Sequence, residues 1–517
     1  MDPRRWLLLT VTTCAVVLQH SSALAPRPRP AQPPPAPRFG FESVQRIAQQ
    51  RAGEAYHDHS GKLPDSLGKI SYEDYRNIQF RADQALWRHQ ALFEVQFFHR
   101  GFAYDKRVNV IEVGDDGVLR PLNYDPSQFE FGKGAPPKDL PADLGFAGLR
   151  VHFPLQSADY KDELIAFLGA SYFRLLGRDQ NYGASARGLA LNVATTGGEE
   201  FAYFTDFWLV RPAPEQRTLT IYAVLDSPSL AGAYRFEIRP GATSTVEVTA
   251  TLYARQSVEK LGLAPLTSMF LYGEDRPRPF DDYRPEVHDS DGLTLHTGGG
   301  EWLWRPLLNP RTLRVSSFSD EHPRGYGLSQ RDRDFSHYQD EDAHYQRRPS
   351  YWVAPLGDWG KGTVELVEIP NDEDIHDNIT SYWIPAMHLQ PHKPFTFSYL
   401  LSAYTNAPQL SPGGHAIATR TTALHPRGGG GDSARRILID FAGGDLESLG
   451  ATQPVKPEIS SHNGDIDNVS VQRLAEDGVW RVTFRVLPKN SQAMDLRCYL
   501  TLYGEALTET WTYLWTP

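Results

Sequence analysis

The chain has 517 residues, 40% of them apolar and 22% charged, with a net charge of −11. That balance excludes a disordered chain, and it excludes a nucleic-acid binder, which needs a basic stripe to neutralise phosphates. The length exceeds what one compact core accommodates, so two domains are expected.

The N-terminus reads as a secretory signal. Arg4 and Arg5 precede an apolar run from Trp6 to about Leu18, and the small residues SSALA end at Ala25. A basic start, a short apolar core and an Ala-x-Ala end define a signal peptide over residues 1–25, too short to span a bilayer comfortably. Pro26 hinders cleavage after Ala25, which moves the expected cut to Ala23. The RRWLLL start is compatible with twin-arginine and ordinary export alike. Export removes Cys14 and leaves Cys498, so the mature protein forms no intramolecular disulfide. Cys498, within MDLRCYLTLY, is expected to be a buried, inert thiol.

Residues 26–38, APRPRPAQPPPAPR with its leading Ala25, form a proline-rich spacer expected to be extended. Two short surface helices are expected, at 41–56 (FESVQRIAQQRAGEAY) and 157–169 (SADYKDELIAFLG). The remainder reads as strand. TLTIYAVL (218–225), STVEVTATLY (244–253) and WRVTFRVLP (480–488) are rich in β-branched and aromatic residues, with turn signals between such runs. The expected class is therefore all-β, built as antiparallel sandwiches. TNAPQLSPGGHA (405–416) is the best linker, dividing a large domain over 39–404 from a smaller one over 417–517. The second has the length of a seven-stranded immunoglobulin-like sandwich without its Cys–Trp–Cys signature. GGGG at 428–431 reads as a loop inside it.

Polar density concentrates between about residues 272 and 385. RPEVHDSDGL gathers His288, Asp289 and Asp291; EWLWRPL carries Trp302 and Trp304; HYQRRPSYW carries Tyr345, Arg347, Arg348, Tyr351 and Trp352. NDEDIHDNITSYW places Asp372, Glu373, Asp374 and Asp377 within six residues, ahead of an apolar strand. Rings beside carboxylates and arginines suit a sugar cleft, since rings stack on pyranose faces and charged groups bind hydroxyls. Each element also has an ordinary reading: paired Trp are core, adjacent Arg pair with nearby acids, and an acidic turn is solvated. HDSDG lacks the spacing and distal Glu of an EF-hand, HExxH is absent, and no GxSxG elbow, phosphate loop or dinucleotide fingerprint stands in convincing context. No metal or cofactor is expected. Two carboxylates remain as the most economical chemistry: one protonated acid for a leaving oxygen and a second group to activate water. Asp377, before a buried strand, suits the acid, because burial raises a carboxyl pKa.

Several long segments then resemble one family: LGASYFRLLGRDQNYGASARGLALN (168–192), LTSMFLYGED (266–275), RPEVHDSDGL, YQRRPSYWVAPLGDWGKGTVELVEIP and the DNI beginning at Asp377. In the same order they are similar to the periplasmic glucan biosynthesis protein G/D family, OpgG/OpgD or MdoG/MdoD, of Gram-negative bacteria. The resemblance covers the chain from about Phe39 onward, most closely over 160–385. It implies a periplasmic location and a large galactose-mutarotase-like β-sandwich followed by an immunoglobulin-like one. It also implies β-1,2-glucan chains as ligand, with an open cleft on the first domain. Some members look like β-1,2-glucanases that invert the anomeric centre. That likeness gives Asp377 the acid's place and Asp289 the base end of a chain of waters. Tyr345 and Arg348 fall in the substrate-bordering motif; Asp374, Arg347, Trp352 and His288 complete the expected binding residues.

The family pattern carries Glu three residues before the acid, in a D-E-T-N-D-N setting, where this chain has Asp374 followed by Ile375 and His376. The shorter side chain retracts the carboxylate by roughly 1.5 Å, so activity is left open against a non-catalytic glucan-binding role. In that role the protein receives chains from an inner-membrane glucosyltransferase. A mutarotase-like epimerase and a calcium-stabilised sandwich are further alternatives. Assembly as a homodimer leaves no short motif and is open.

Overall fold

Alternation of β-branched and aromatic residues over most of the chain folds into sheet, as expected. The computed structural model describes residues 39–517, save 59–60, 133–139, 276–280, 392, 407–410, 425–433 and 476–477. The signal peptide, the proline-rich spacer, the glycine run at 428–431 and the middle of the 405–416 linker lie outside the described residues.

Two large sheets face one another. The first runs Glu94–His99, Phe146–Phe153, Asp162–Leu168, Tyr172–Leu175, Ser185–Arg187, Leu261–Ser268, Ile379–Pro385, Lys361–Glu368 and Arg314–Glu321 in spatial order. The second centres on the antiparallel strands Tyr203–Val210, Leu219–Asp226, Leu230–Arg239, Ser244–Ala254, Phe395–Tyr404 and Ser350–Leu356. Both inner faces supply one apolar cluster. Phe167 of the first sheet meets Phe207 and Phe236 of the second edge-on, at 5.3 and 5.1 Å between ring centroids. Such pairs add to the area they bury, so the aromatic richness of the sequence is spent mainly here.

The expected helix near residue 41 is present as Phe41–Ala52. Its Val44 and Ala48 pack beneath Trp208, Val224 and Tyr253 on the outer face of the second sheet. The expected helix at 157–169 is not: Asp162–Leu168 is a strand between Phe146–Phe153 and Tyr172–Leu175. Leu164, Ile165, Ala166 and Phe167 are all buried, so this segment is covered on both faces. A segment buried on both sides shows no period of two, so alternation does not mark it as strand.

The chain after residue 414 builds, with Trp304 and Leu308, a second apolar cluster. His415–Ala423, Arg435–Ala442, Trp480–Pro488 and Gly464–Arg473 form a four-stranded sheet. Opposite it, Thr510–Trp515 pairs in parallel with Trp302–Pro306 and so continues the second large sheet. Trp304, Phe484, Trp511 and Cys498 share the core between them. Burial pushes the Cys498 thiol pKa upward, which keeps it protonated and inert. Among the described residues, no helix is long and apolar enough to cross a membrane.

Candidate functional site

One short stretch of strand organises both acidic motifs. Ser268, at the end of Leu261–Ser268, pairs with Ile379, and its carbonyl accepts from the Asn378 N–H at 3.1 Å. One residue on, the Met269 carbonyl accepts from the Asp289 N–H at 2.8 Å, and Phe270 pairs with His288. Segments ninety residues apart are thus hung on opposite sides of residues 268–270.

The acidic loop is tied down by its asparagines. Buried Asn378 accepts from the Phe270 N–H at 2.8 Å and donates to the Phe270 and Ile369 carbonyls, both at 3.0 Å. An amide imitating a strand edge in this way fixes the residue before it, Asp377. Asn371 donates to the Glu373 and His376 carbonyls and exchanges two hydrogen bonds with Asn309. The four carboxylates therefore separate instead of crowding. Asp372 and Glu373 are exposed, with Glu373 3.5 Å from His376, and Asp374 is half-buried.

Asp377 alone of the expected residues lines the largest cavity described, of about 1010 Å³. Its side chain is open to solvent on the cavity side and surrounded by protein elsewhere. Burial raises its pKa against the opposing pull of Arg174, Thr267, Arg348 and Arg187. The Thr267 hydroxyl has no other hydrogen-bond partner, which leaves it available to this carboxyl.

Asp289 is 4% exposed and forms an ion pair with Arg348 at 2.7 Å. Burial is the main reason its pKa is pushed up to about 6; Arg348 opposes the rise, and the nearby Asp377 charge adds to it. That influence puts Asp289 in the electrostatic neighbourhood of Asp377, although of the two only Asp377 faces the cavity. Arg348 lies 4.5 Å above the Tyr345 ring, and Gly183 abuts its stem, where a β-carbon would come within 2.8 Å. The Tyr345 hydroxyl donates to Asp374 at 3.2 Å, and Arg284 reaches the same oxygen at 2.7 Å. Arg284 also binds Asp282 and Asp340, so Asp374 belongs to a knot of ion pairs.

The other expected residues stand back from the cavity. His288 is fully buried, its ring nitrogens 2.8 Å from Gln330 and 2.9 Å from Glu286. Burial alone lowers a histidine pKa, but the Glu286 carboxylate outweighs it and pushes His288 up to about 9. Trp352 is buried and stacks on Trp302, 5.7 Å between centroids, while Arg347 is exposed. Glu286, Asp332 and His337 bring one ligand atom each within 4.8 Å of one another. That trio is already occupied by hydrogen bonds, Glu286 with His288 and Asp332 with His337.

The cavity walls come from residues the motifs did not single out. Tyr72, Tyr75 and Tyr104 line one side, with Tyr75 5.2 Å from Tyr104 and exposed Phe102 beside them. Arg150, Glu163, Tyr182 and Arg174 line another; Glu163 accepts from Tyr182 and pairs with Arg150 at 3.3 Å. The visible signal was the mixture of aromatic and charged residues in SYEDYR (71–76) and GFAYDK (101–106).

A β-sheet protein with a large cavity walled by aromatic rings and paired charges is the class these elements define. Residues 39–515 match the family described as periplasmic glucan biosynthesis protein, MdoG, and the chain belongs to that family. It is similar to a probable glucans biosynthesis protein D of Shewanella oneidensis, 43% identical over 516 residues, covering 98% of this chain and 93% of the relative. It is 45% identical to a glucans biosynthesis protein G of Ralstonia nicotianae over 489 residues, 93% of this chain and 96% of the relative. A glucans biosynthesis protein G of Rhodopseudomonas palustris is 44% identical over 96% of this chain and 97% of its own length.

Proposed function

We propose that this protein is an inverting endo-β-1,2-glucanase that trims glucan backbones in the periplasm, with Asp377 as general acid. The carrying observation is one carboxyl on the cavity wall whose surroundings raise its pKa, the direction a general acid needs if it is to give a proton to a leaving oxygen. Asn378 fixes it from behind, while Arg174 and the Thr267 hydroxyl stand where they stabilise the carboxylate left after proton transfer. Asp289 is the proton sink at the far end of a chain of waters running past Arg348 and Tyr345, since it does not itself line the cavity. The rings of Tyr72, Tyr75 and Tyr104 offer stacking faces for successive pyranoses. The β-1,2 linkage and the inversion follow from the resemblance of the motifs.

A second reading has its own support: Asp289 is closed behind Arg348, and Asp374 is consumed by Arg284 and Tyr345. With neither reaching the groove, the cavity binds and hands on chains from a glucosyltransferase without cutting them. Reducing-end release from linear β-1,2-glucan separates the two. The expected result is release that falls at least ~10²-fold in Asp377→Asn while glucan binding persists. Equal, negligible release from both proteins with binding intact would sink the hydrolase.

A further inference from the structure

Beside the main cavity lies a smaller chamber of about 260 Å³, reached across Lys106, Tyr203 and Phe204, which line both spaces. It holds about nine waters at their liquid volume, the bulk of one pyranose and too little for a chain. Its private walls include Arg51, Tyr56, Asp58, Asn109, Thr205 and Asp206. Arg51 is paired with Asp206 at 2.7 Å, and Lys106 with Asp58 at 2.5 Å. Asn109 and Thr205 tie into the same set through Asp206 and Arg51. Such a wall offers donors and acceptors together with an aromatic face at Tyr56, and most of its charge is matched within itself. A neutral polyol, whose hydroxyls both donate and accept, suits it; an anion would have to displace the acids already there.

We infer that this chamber receives a single sugar carried as a branch on the glucan lying in the main cavity. The inference rests on the reading that the main cavity binds glucan, and it does not depend on whether the chain is cut. Opening sideways from the groove, the chamber admits a substituent without interrupting the backbone's path past Asp377. It acts as a register mark: a branch seated there fixes which backbone linkage lies opposite the acid.

The test uses binding, in an Asp377→Asn background that cuts nothing. Affinities for linear β-1,2-glucan and for the same glucan bearing single glucosyl branches are compared by calorimetry, then repeated with Tyr56→Ala and Asn109→Ala. Branched glucan is expected to bind about fivefold more tightly than linear, the equivalent of one or two net hydrogen bonds. Both variants should erase that preference and leave linear binding unchanged; Tyr56, 37% exposed in a loop, is removable without touching the core. No preference in the parent protein, or a preference that survives both variants, overturns the inference. Loss of linear binding in the variants would also overturn it, because the chamber would then hold a chain end. Absence of hydrolysis by the protein with Asp377 intact, with the preference still present, would instead count against the glucanase reading alone.

Discussion

Two acid-rich segments flank residues 268–270 and have opposite fates. Residues 286–291 are closed: His288 is bonded at both nitrogens, Asp289 is paired with Arg348, and Asp291 accepts from the N–H groups of Arg331 and Asp332. Residues 371–378 are tied by their amides, which leaves Asp377 facing the cavity with no close ion-pair partner among the described residues. A polar network satisfied within itself holds shape and tunes charge. A carboxyl that meets solvent on one side and protein on the others is free to exchange a proton with a ligand. The composition of the two motifs is nearly alike; the strand that separates them decides which one faces the cavity.

The largest change to this contrast comes from opening the closed side. Arg348→Ala strips a buried carboxylate of its cation and also exposes the Tyr345 ring. Removing one partner of a buried pair costs about 3–5 kcal/mol. The loss is expected in urea melts at neutral pH and should shrink toward pH 5, as Asp289 takes up a proton instead. A loss below 1 kcal/mol at neutral pH would mean that water reaches Asp289 freely.

A smaller effect is written in the pH dependence of stability. The folded pKa of Asp289, about 6, exceeds its unfolded value near 4. Its contribution is therefore full below pH 4 and is lost as pH rises through 6, about 3 kcal/mol in all. His288 is raised as well, from 6.5 to about 9, so its contribution is lost as pH rises above 7 toward 9. Stability should fall with rising pH across both windows. Asp289→Asn should flatten the lower window and leave the upper one standing, as read from denaturant melts at half-unit pH steps. A lower window unchanged in that variant would show that Asp289 is already open to solvent.

Much of this contrast was legible in the chain. Asp377 stood out because an acid before ITSYWI must sit where an apolar strand begins, and that strand is Ile379–Pro385, almost wholly buried. The sheet-rich class followed from alternation, since Ser244–Ala254 and Trp480–Pro488 are half-buried strands of the regular kind. Segments covered on both faces were misread, as Asp162–Leu168 shows, because they carry no alternation to detect. The cavity walls were illegible for another reason. Tyr72, Tyr104 and Glu163 come from distant stretches, and only strand order brings them together. His288 and Trp352 were expected among the binding residues, yet Glu286 and Trp302 hold them inside, away from the cavity.

The smallest expected effect tests how tightly the closed side is coupled to the open one. Tyr345→Phe removes one hydroxyl and its 3.2 Å bond to Asp374, while the ring still supports Arg348 and leans on Tyr338. Asp374 keeps the stronger bond from Arg284, so no buried charge is abandoned. The net cost is that of one ordinary hydrogen bond, about 1 kcal/mol, measurable as a modest fall in urea midpoint. If Tyr345 is only a support, glucan release should keep its pH profile and change rate by the little that stability allows. If the hydroxyl also orders the waters that carry protons to Asp289, release should fall far more than stability does. The phenylalanine variant, folded and still binding glucan, therefore separates a wall from a wire.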